Sequence, residues 1–358
     1  MYYKNNRYRE DLEETIQRTI HFEILFGKTF LITGASGLIG SFLVDLLFYA
    51  NETLQAGIKV YALVRDREYA VRRYQSITEH PDFHLIVQDV CEPLAFGERA
   101  DYVIHAAGDG YPKAFRERPV ETMQPALMGT WRLLEYVRKT GGVRFLYLSS
   151  GEIYGDMIDN GEGFSETDSG YVDTMRSRSC YPSAKRAAET MCAAYHAEYG
   201  LDAVVARLSH IYGPNVSEKD NRATAQFFQN VLEGKDVILK SQGKQMRSYT
   251  YVADCASALM TVLAKGEAGE AYNISNPDSR ATIAEFAQMT AEFGGQKCLF
   301  AIPNATDTKE STPISCAVLN SEKLQGLGWK GEYSVSRGIR HTLQILTFSK
   351  EKIDDKIK

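Results

Sequence analysis

A chain of 358 residues that is 44% hydrophobic and 24% charged can bury a full core, which excludes a disordered or fibrous protein and admits one large domain or two intimate ones. Its formal net charge of -5 provides no basic field for a phosphate backbone, so nucleic acid is excluded as the main partner. The six cysteines, Cys91, Cys180, Cys192, Cys255, Cys298 and Cys316, form no CxxC pair; this excludes a zinc ribbon or disulfide framework and fits reduced thiols in a cytoplasm.

The charged amino terminus lacks the continuous apolar run of a secretory signal. Apolar positions at Leu12, Ile16, Ile20, Ile24 and Leu25 predict an amphipathic helix over residues 9–25, lying on the main body. The longest apolar stretch, Phe30 to Ala50, is broken by Gly34, Ser36, Gly37, Gly40 and Asp45, so no membrane span is expected. Instead it reads as a strand (Thr29 to Thr33), a glycine turn and a helix (Leu38 to Tyr49).

The alternation continues with a strand at Lys59 to Val64, a helix at Glu68 to Ile77, and strands at Phe83 to Val87 and Tyr102 to His105. A long helix over Val120 to Arg138, a strand at Phe145 to Ser149, a helix from Tyr181 to Tyr199 and a strand at Ala203 to Arg207 follow. Such a βαβ series predicts an α/β fold, a doubly wound parallel sheet of six or seven strands with helices on both faces. Beyond Gly213-Pro214 the pattern loosens into helices at Ala223 to Leu232, Val252 to Ala264 and Ile283 to Phe293, with a short segment at Val237 to Leu239. The charged tail from Ser349 to Lys358 is expected to fray.

Gly34, Gly37 and Gly40 open the first βαβ unit, in Gly34-Ala35-Ser36-Gly37-Leu38-Ile39-Gly40. The first allows the tight turn, the second lets backbone approach a pyrophosphate, and the third lets the helix pack closely on the sheet. With Ser36, Leu38 and Ile39 they put a helix amino terminus at an anion. The second strand ends Val64-Arg65-Asp66, placing a base where an acid often grips the adenosine ribose; this leans toward NADP, although Asp66 could turn in and serve NAD. Asp89 and Val90 can bracket an adenine, and Ala106, Ala107 and Gly108 give a close backbone approach after the fourth strand.

Tyr181 and Lys185 stand four apart on a predicted helix and so share a face, where the Lys185 ammonium can lower the pKa of the phenol. A phenolate can take the proton of a sugar hydroxyl as its hydride leaves, and Ser150, ending a strand, can hold the same hydroxyl. Arg247 is a candidate diphosphate clamp, with Arg222 second, because a guanidinium engages two phosphate oxygens at once. Glu152 is a candidate base at sugar C5, against the plainer role of capping a neighbouring amide.

Together the segments GASGLIG, IHAAG, LYLSSGEIYG, YPSAK, RLSHIYGP and MRSYTYVAD resemble the extended short-chain dehydrogenase/reductases, in particular the NAD-dependent epimerase/dehydratase group that remodels nucleotide sugars. The resemblance spans residues 28 to 345 and implies a Rossmann domain with a smaller C-terminal substrate-binding lobe. Boundaries then fall at 1–27 for a helical extension, 28–210 for the NAD(P)-binding domain and 211–348 for the lobe, with chain near 237–262 returning to the first domain. It also implies transient oxidation at sugar C4 with Ser150, Tyr181 and Lys185 as the catalytic set. Apolar faces on the helices near 120–138 and 181–199 suggest a homodimer seam.

Dehydrating members carry an Asp-Glu pair after the Ser/Thr, whereas this chain has Gly151-Glu152 and lacks the acid. Ser150-Gly151-Glu152, Tyr111-Pro112-Lys113 and Arg247-Ser248-Tyr249 are closer to UDP-glucuronate decarboxylases, so epimerisation or decarboxylation ranks ahead of 4,6-dehydration. His210 and Ala126 replace asparagines common in relatives, which makes His210 either a substrate contact or a satisfied strand-end histidine. A non-catalytic dinucleotide sensor and a reductase of free carbonyl substrates are the competing functions, against which stand the retained Ser150, Tyr181, Lys185 trio and Arg247.

Overall fold

The computed structural model describes residues 2–157, 161–216, 220–301 and 316–357. The chain opens with α1 (Asn6–Arg18), β1 (Thr29–Thr33), α2 (Leu38–Leu54), β2 (Lys59–Val64), α3 (Arg67–Arg73), β3 (Phe83–Val87) and β4 (Tyr102–His105). Next come α4 (Pro112–Glu117), α5 (Pro119–Gln124), α6 (Thr130–Thr140), β5 (Arg144–Ser150), α7 (Cys180–Tyr199), β6 (Ala203–Leu208) and β7 (His210–Tyr212). The remainder is α8 (Ala223–Leu232), β8 (Val237–Leu239), β9 (Met246–Tyr251), α9 (Val252–Lys265), β10 (Ala271–Ile274), β11 (Arg280–Thr282) and α10 (Ile283–Phe293), then β12 (Cys298–Phe300), β13 (Cys316–Ala317), α11 (Glu322–Gly326) and α12 (Val335–Ile357).

Seven strands pair in the order β10-β6-β5-β4-β1-β2-β3, every pair parallel. Period-two alternation sends Phe30, Ile32, Ile104, Leu146 and Val204 to one core with α2 and α9, and Leu31, Val103, Phe145, Tyr147 and Val205 to another with α6 and α7. Because strand order reverses between β1 and β4, a crevice opens at their carboxyl ends. The smaller lobe pairs β9 with β7, β11 and β13, and β8 with β12.

The seventh strand, β10, is too short to announce itself by periodicity, and the return to the main sheet begins only in the later part of the predicted 237–262 stretch. It runs through α9 and β10, whereas Val237–Leu239 stays in the lobe, paired with β12. The predicted continuous helix over 120–138 is divided: Pro125 has no amide to donate, and Pro125–Gly129 form a π-helical turn between α5 and α6. The carboxyl-terminal tail, expected to fray, continues as helix to Ile357; Ser349 is buried, and Lys350 donates to the Leu232 carbonyl at 2.7 Å.

Polar groups fasten α1 to both parts of the molecule. Tyr8 donates to Asp45 of α2 at 2.7 Å and accepts from Asn215 at 2.8 Å, while Asn215 also donates to Ser41 of α2. Asp11, fully buried, accepts from Tyr251 at 2.6 Å and Tyr333 at 3.1 Å, and its Oδ1 lies 2.7 Å from His341 Nδ1 of α12. A buried carboxylate is tolerated only with such partners.

Candidate active site

A cavity of about 900 Å³ lies over the carboxyl ends of β1, β4 and β5 and extends beneath β7 and β9. Gly34, Ser36, Gly37, Leu38, Ile39 and Gly40 line one end, with Arg65, Asp89, Val90, Ala106, Ala107 and Gly108. Ser150, Glu152, Tyr181, Lys185, Pro112, His210, Arg222 and Arg247 line the rest, so the fold brings every predicted site residue to one cavity.

The first end is shaped for close approach. Gly34 adopts φ +62°, and a Cβ there would stand 2.6 Å from the Ala106 carbonyl oxygen; a Cβ on Gly40 would stand 2.4 Å from the Gly34 carbonyl oxygen. Gly37 caps α2 without a side chain, leaving the helix amino terminus open to an anion. Such a cradle, with two side-chain-free approaches beside a helix terminus, fits a dinucleotide. Asp66 is spent as the cap of α3, accepting from the Tyr69 amide at 2.9 Å, while Arg65, 60% exposed, lies 3.7 Å from Asp109 at the rim.

Beneath the cradle a neutral histidine locks strands to helix. Thr33 Oγ1 lies 2.8 Å from His105 Nδ1, and His105 Nε2 lies 2.9 Å from the Pro125 carbonyl oxygen. Pro125 has only an acceptor there, so Nε2 carries the proton and Nδ1 accepts. Burial, then the nearby Lys185 charge, pushes the His105 pKa down to about 3. The π-helical turn supplies the carbonyl that this ring holds, a role that His105 shows only in the fold, since in the sequence it stands out merely as part of IHAAG.

Tyr181 is enclosed, its ring stacked on Phe115 with centroids 4.5 Å apart. The predicted acidification by Lys185 is not the balance this chain sets. Burial first, then the Glu152 charge, raises the phenol to about 12 against the lowering effects of the Ser150 hydrogen bond, Arg222 and Arg178. Lys185 Nζ instead donates to the Leu148 carbonyl at 2.6 Å and sits over the Tyr147 ring, and burial takes its pKa down to about 8. Behind it, Ser149 and Arg207 both hold Glu189, with Arg207 Nη2 2.8 Å from the carboxylate; the sequence did not single out this trio.

Glu152 is not an isolated base. Arg178, which sequence reasoning missed, grips it with Nη1 to Oε2 at 3.0 Å and Nη2 to Oε1 at 3.1 Å. Ser150 Oγ accepts from the Glu152 amide at 3.2 Å, so the serine caps the turn Gly151–Tyr154. Arg222 is held by Asp220 and donates to the Ile211 carbonyl at 2.9 Å. Arg247 is 4% exposed on β9, with Nη1 on the Met246 carbonyl at 2.8 Å. His210 opens onto the cavity beside Tyr249; the surrounding walls, then Arg247 and Arg222, lower its pKa. Among the described residues no group of three His, Cys, Asp or Glu side chains could hold a metal, and no helix is long and apolar enough to cross a membrane.

Residues 30–275 match the model of the NAD dependent epimerase/dehydratase family. Among curated proteins, UDP-glucuronic acid decarboxylase 6 of Arabidopsis thaliana is 34% identical over 73% of this chain and 73% of its own length. UDP-glucuronic acid decarboxylase 1 of Danio rerio is 29% identical over 90% of this chain and 73% of its own. Among solved structures, the UDP-glucose 4-epimerase of Thermus thermophilus in complex with NAD is 27% identical, with a TM-score of 0.72 over 89% of this chain and 98% of its own. The DesIV dTDP-glucose 4,6-dehydratase of Streptomyces venezuelae shares the fold, with a TM-score of 0.77 at 22% identity over 90% and 98%.

Proposed function

The chain belongs to the NAD-dependent epimerase/dehydratase family, and from that premise we propose that it remodels a nucleotide-diphosphate sugar through a transient 4-ketone, with loss of CO2 from a hexuronate as the outcome. The observation that carries this reading is the convergence of Ser150, Tyr181 and Lys185 with the Gly34–Gly40 cradle on one cavity. Decarboxylation is favoured over 4,6-dehydration because Gly151 stands where dehydration needs an acid, and because the matched relatives named above are UDP-glucuronic acid decarboxylases.

Gly34, Ser36, Gly37, Leu38, Ile39 and Gly40 would hold a dinucleotide's pyrophosphate, with Asp89 and Val90 at the adenine and Ala106, Ala107 and Gly108 opposite. A nicotinamide dinucleotide held there would supply reversible hydride transfer at sugar C4. Tyr181 takes the C4 hydroxyl proton and Ser150 Oγ steadies the same oxygen. Lys185 adds positive charge behind the phenol. Arg247 and Arg222 meet the diphosphate, with His210 and Pro112 against the sugar-nucleotide. Arg65 at the rim and an Asp66 committed to capping favour NADP over NAD.

Exposed Val120, Met128 and Trp131 on the α5–α6 run and Tyr199 on α7 support a homodimer built on this face. Cys91, Cys180, Cys192, Cys255 and Cys298 are free thiols, in keeping with a cytoplasmic enzyme.

Incubation with UDP-, dTDP-, CDP- and GDP-sugars followed by mass analysis tests the reading. A loss of roughly 44 mass units from a hexuronate supports it, a loss of roughly 18 marks dehydration, and unchanged mass with shifted retention marks epimerisation. No conversion of any hexuronate would overturn it.

A further inference from the structure

Glu152 and Arg178 meet as a two-pronged ion pair on the same wall as Tyr181 and Ser150. Their side chains are 27% and 36% exposed, so a ligand in the cavity can reach both. The Arg178 guanidinium lies over the Phe115 ring at 4.8 Å, and that ring stacks on Tyr181. The pair is therefore fixed beside the groups that address sugar C4, whereas Arg247 and His210 sit on the β7–β9 sheet of the smaller lobe.

A sugar whose C4 oxygen rests at Ser150 and Tyr181 has its C6 substituent two bonds from the reacting carbon. Its diphosphate hangs from C1, across the ring. Of the substrate's charges, a C6 carboxylate is thus the one placed to meet Arg178. A guanidinium fork binds any carboxylate in the same planar geometry, so exchanging one for another preserves both of its charge-assisted hydrogen bonds.

We propose that Arg178 recognises the C6 carboxylate of a nucleotide hexuronate by giving up Glu152 for it. The proposal rests on the hexuronate reading above. The incoming carboxylate takes the fork and orients the C5–C6 bond, and Glu152 is released from its cation. At the 4-ketone stage the C5–C6 bond breaks, its electron pair passes into the C4–C5 enolate, and CO2 leaves. A proton from water then adds at C5, leaving hydroxide that can combine with the CO2 as bicarbonate, and Glu152 returns to Arg178 as the product leaves. A neutral hexose leaves the pair closed, which makes it a filter for hexuronates.

Titration calorimetry of the cofactor-loaded protein in a Tyr181→Phe background, where turnover is blocked, tests the exchange with UDP-glucuronate and UDP-glucose as probes. Arg178→Met should weaken UDP-glucuronate by about tenfold or more and leave UDP-glucose within about threefold. Glu152→Gln should tighten UDP-glucuronate, because it removes the internal competitor, and the tightening should vanish when Arg178→Met is added. Equal UDP-glucuronate affinity with and without Arg178, or weakening by Glu152→Gln, overturns the proposal. If Arg178→Met fails to fold, Glu152→Gln alone decides: tightening supports the exchange, and any other result overturns it. A wild-type protein that decarboxylates while these variants bind alike refutes only the exchange, whereas one that converts no hexuronate refutes the functional reading itself.

Discussion

Lys185 donates to the Leu148 carbonyl at 2.6 Å and lies 5.8 Å from the centre of the Tyr181 ring, so the ammonium is anchored to β5 and faces the phenol without touching it. Burial takes Lys185 down to about 8 and holds Tyr181 up at about 12, so the charged lysine loses its proton before the phenol does. If turnover needs phenolate and ammonium together, kcat/KM climbs about tenfold per pH unit up to about 8. Above that the gain in phenolate cancels the loss of ammonium, and the profile levels. A Lys185→Met variant has no ammonium to lose, so its slower rate should keep climbing past 8. A wild-type profile that climbs unbroken well past 8 contradicts the pairing.

Tyr181→Phe keeps the ring that stacks on Phe115 and removes only the hydroxyl. Turnover is expected to fall by about 10²–10⁴-fold with dinucleotide still bound, since general-base catalysis contributes about that much. Single-turnover assays and cofactor titration check both halves; undiminished turnover refutes the assigned role.

Gly34→Ala places a methyl 2.6 Å from the Ala106 carbonyl oxygen at φ +62°. Left-handed strain of about 1–2 kcal/mol and overpacking of about 1–3 kcal/mol both oppose it. Denaturant unfolding should show a destabilisation in that range, and dinucleotide affinity should fall with it because the turn after β1 and the segment after β4 must separate. Gly57→Ala, at φ +61° with open space around its Cβ, carries the strain alone and is the control.

The doubly wound sheet was legible because each early strand alternates with a helix of clear period and the first turn carries its three glycines. The strands β7, β9, β10, β11, β12 and β13 were not, because they stand outside the regular strand–helix order that lends a short apolar run its identity. The site residues were legible by type and order, but their mutual electrostatics were not. Spacing places Lys185 on the Tyr181 face of α7, yet only the fold shows the ammonium turned to Leu148 and the phenol raised by enclosure. Arg178 escaped notice because its partner Glu152 lies 26 positions earlier and the contact forms through the tertiary packing of α7 on the turn after β5.

The proposed preference for NADP rests on Arg65. Arg65→Glu reverses the charge at the rim without touching the cradle, so it should move the ratio of NADP to NAD affinity toward NAD by about tenfold or more, the effect of losing a charge-assisted phosphate contact. Paired titrations with the two dinucleotides measure it. An unchanged ratio assigns Arg65 to its Asp109 neighbour alone.

The amino-terminal helix, expected from its apolar spacing, lies ahead of the family match, which begins at residue 30. Asp11 lies at 0% exposure between Tyr251, Tyr333 and His341, so Asp11→Ala leaves the Tyr251 hydroxyl and the His341 ring nitrogen without their partner, while the Tyr333 hydroxyl keeps Glu14 at 2.8 Å. Breaking such a cluster costs about 3–5 kcal/mol. Tyr8→Phe removes only the hydroxyl that joins Asp45 to Asn215 and should cost about 1–3 kcal/mol. Because Asn215 also holds Ser41 in the helix that follows the glycine cradle, Tyr8→Phe should weaken dinucleotide binding as well as lowering Tm, whereas Asp11→Ala should act on Tm. Calorimetric unfolding with and without dinucleotide separates the two effects. Wild-type stability in Asp11→Ala shows that the helix rests on the body without bracing it.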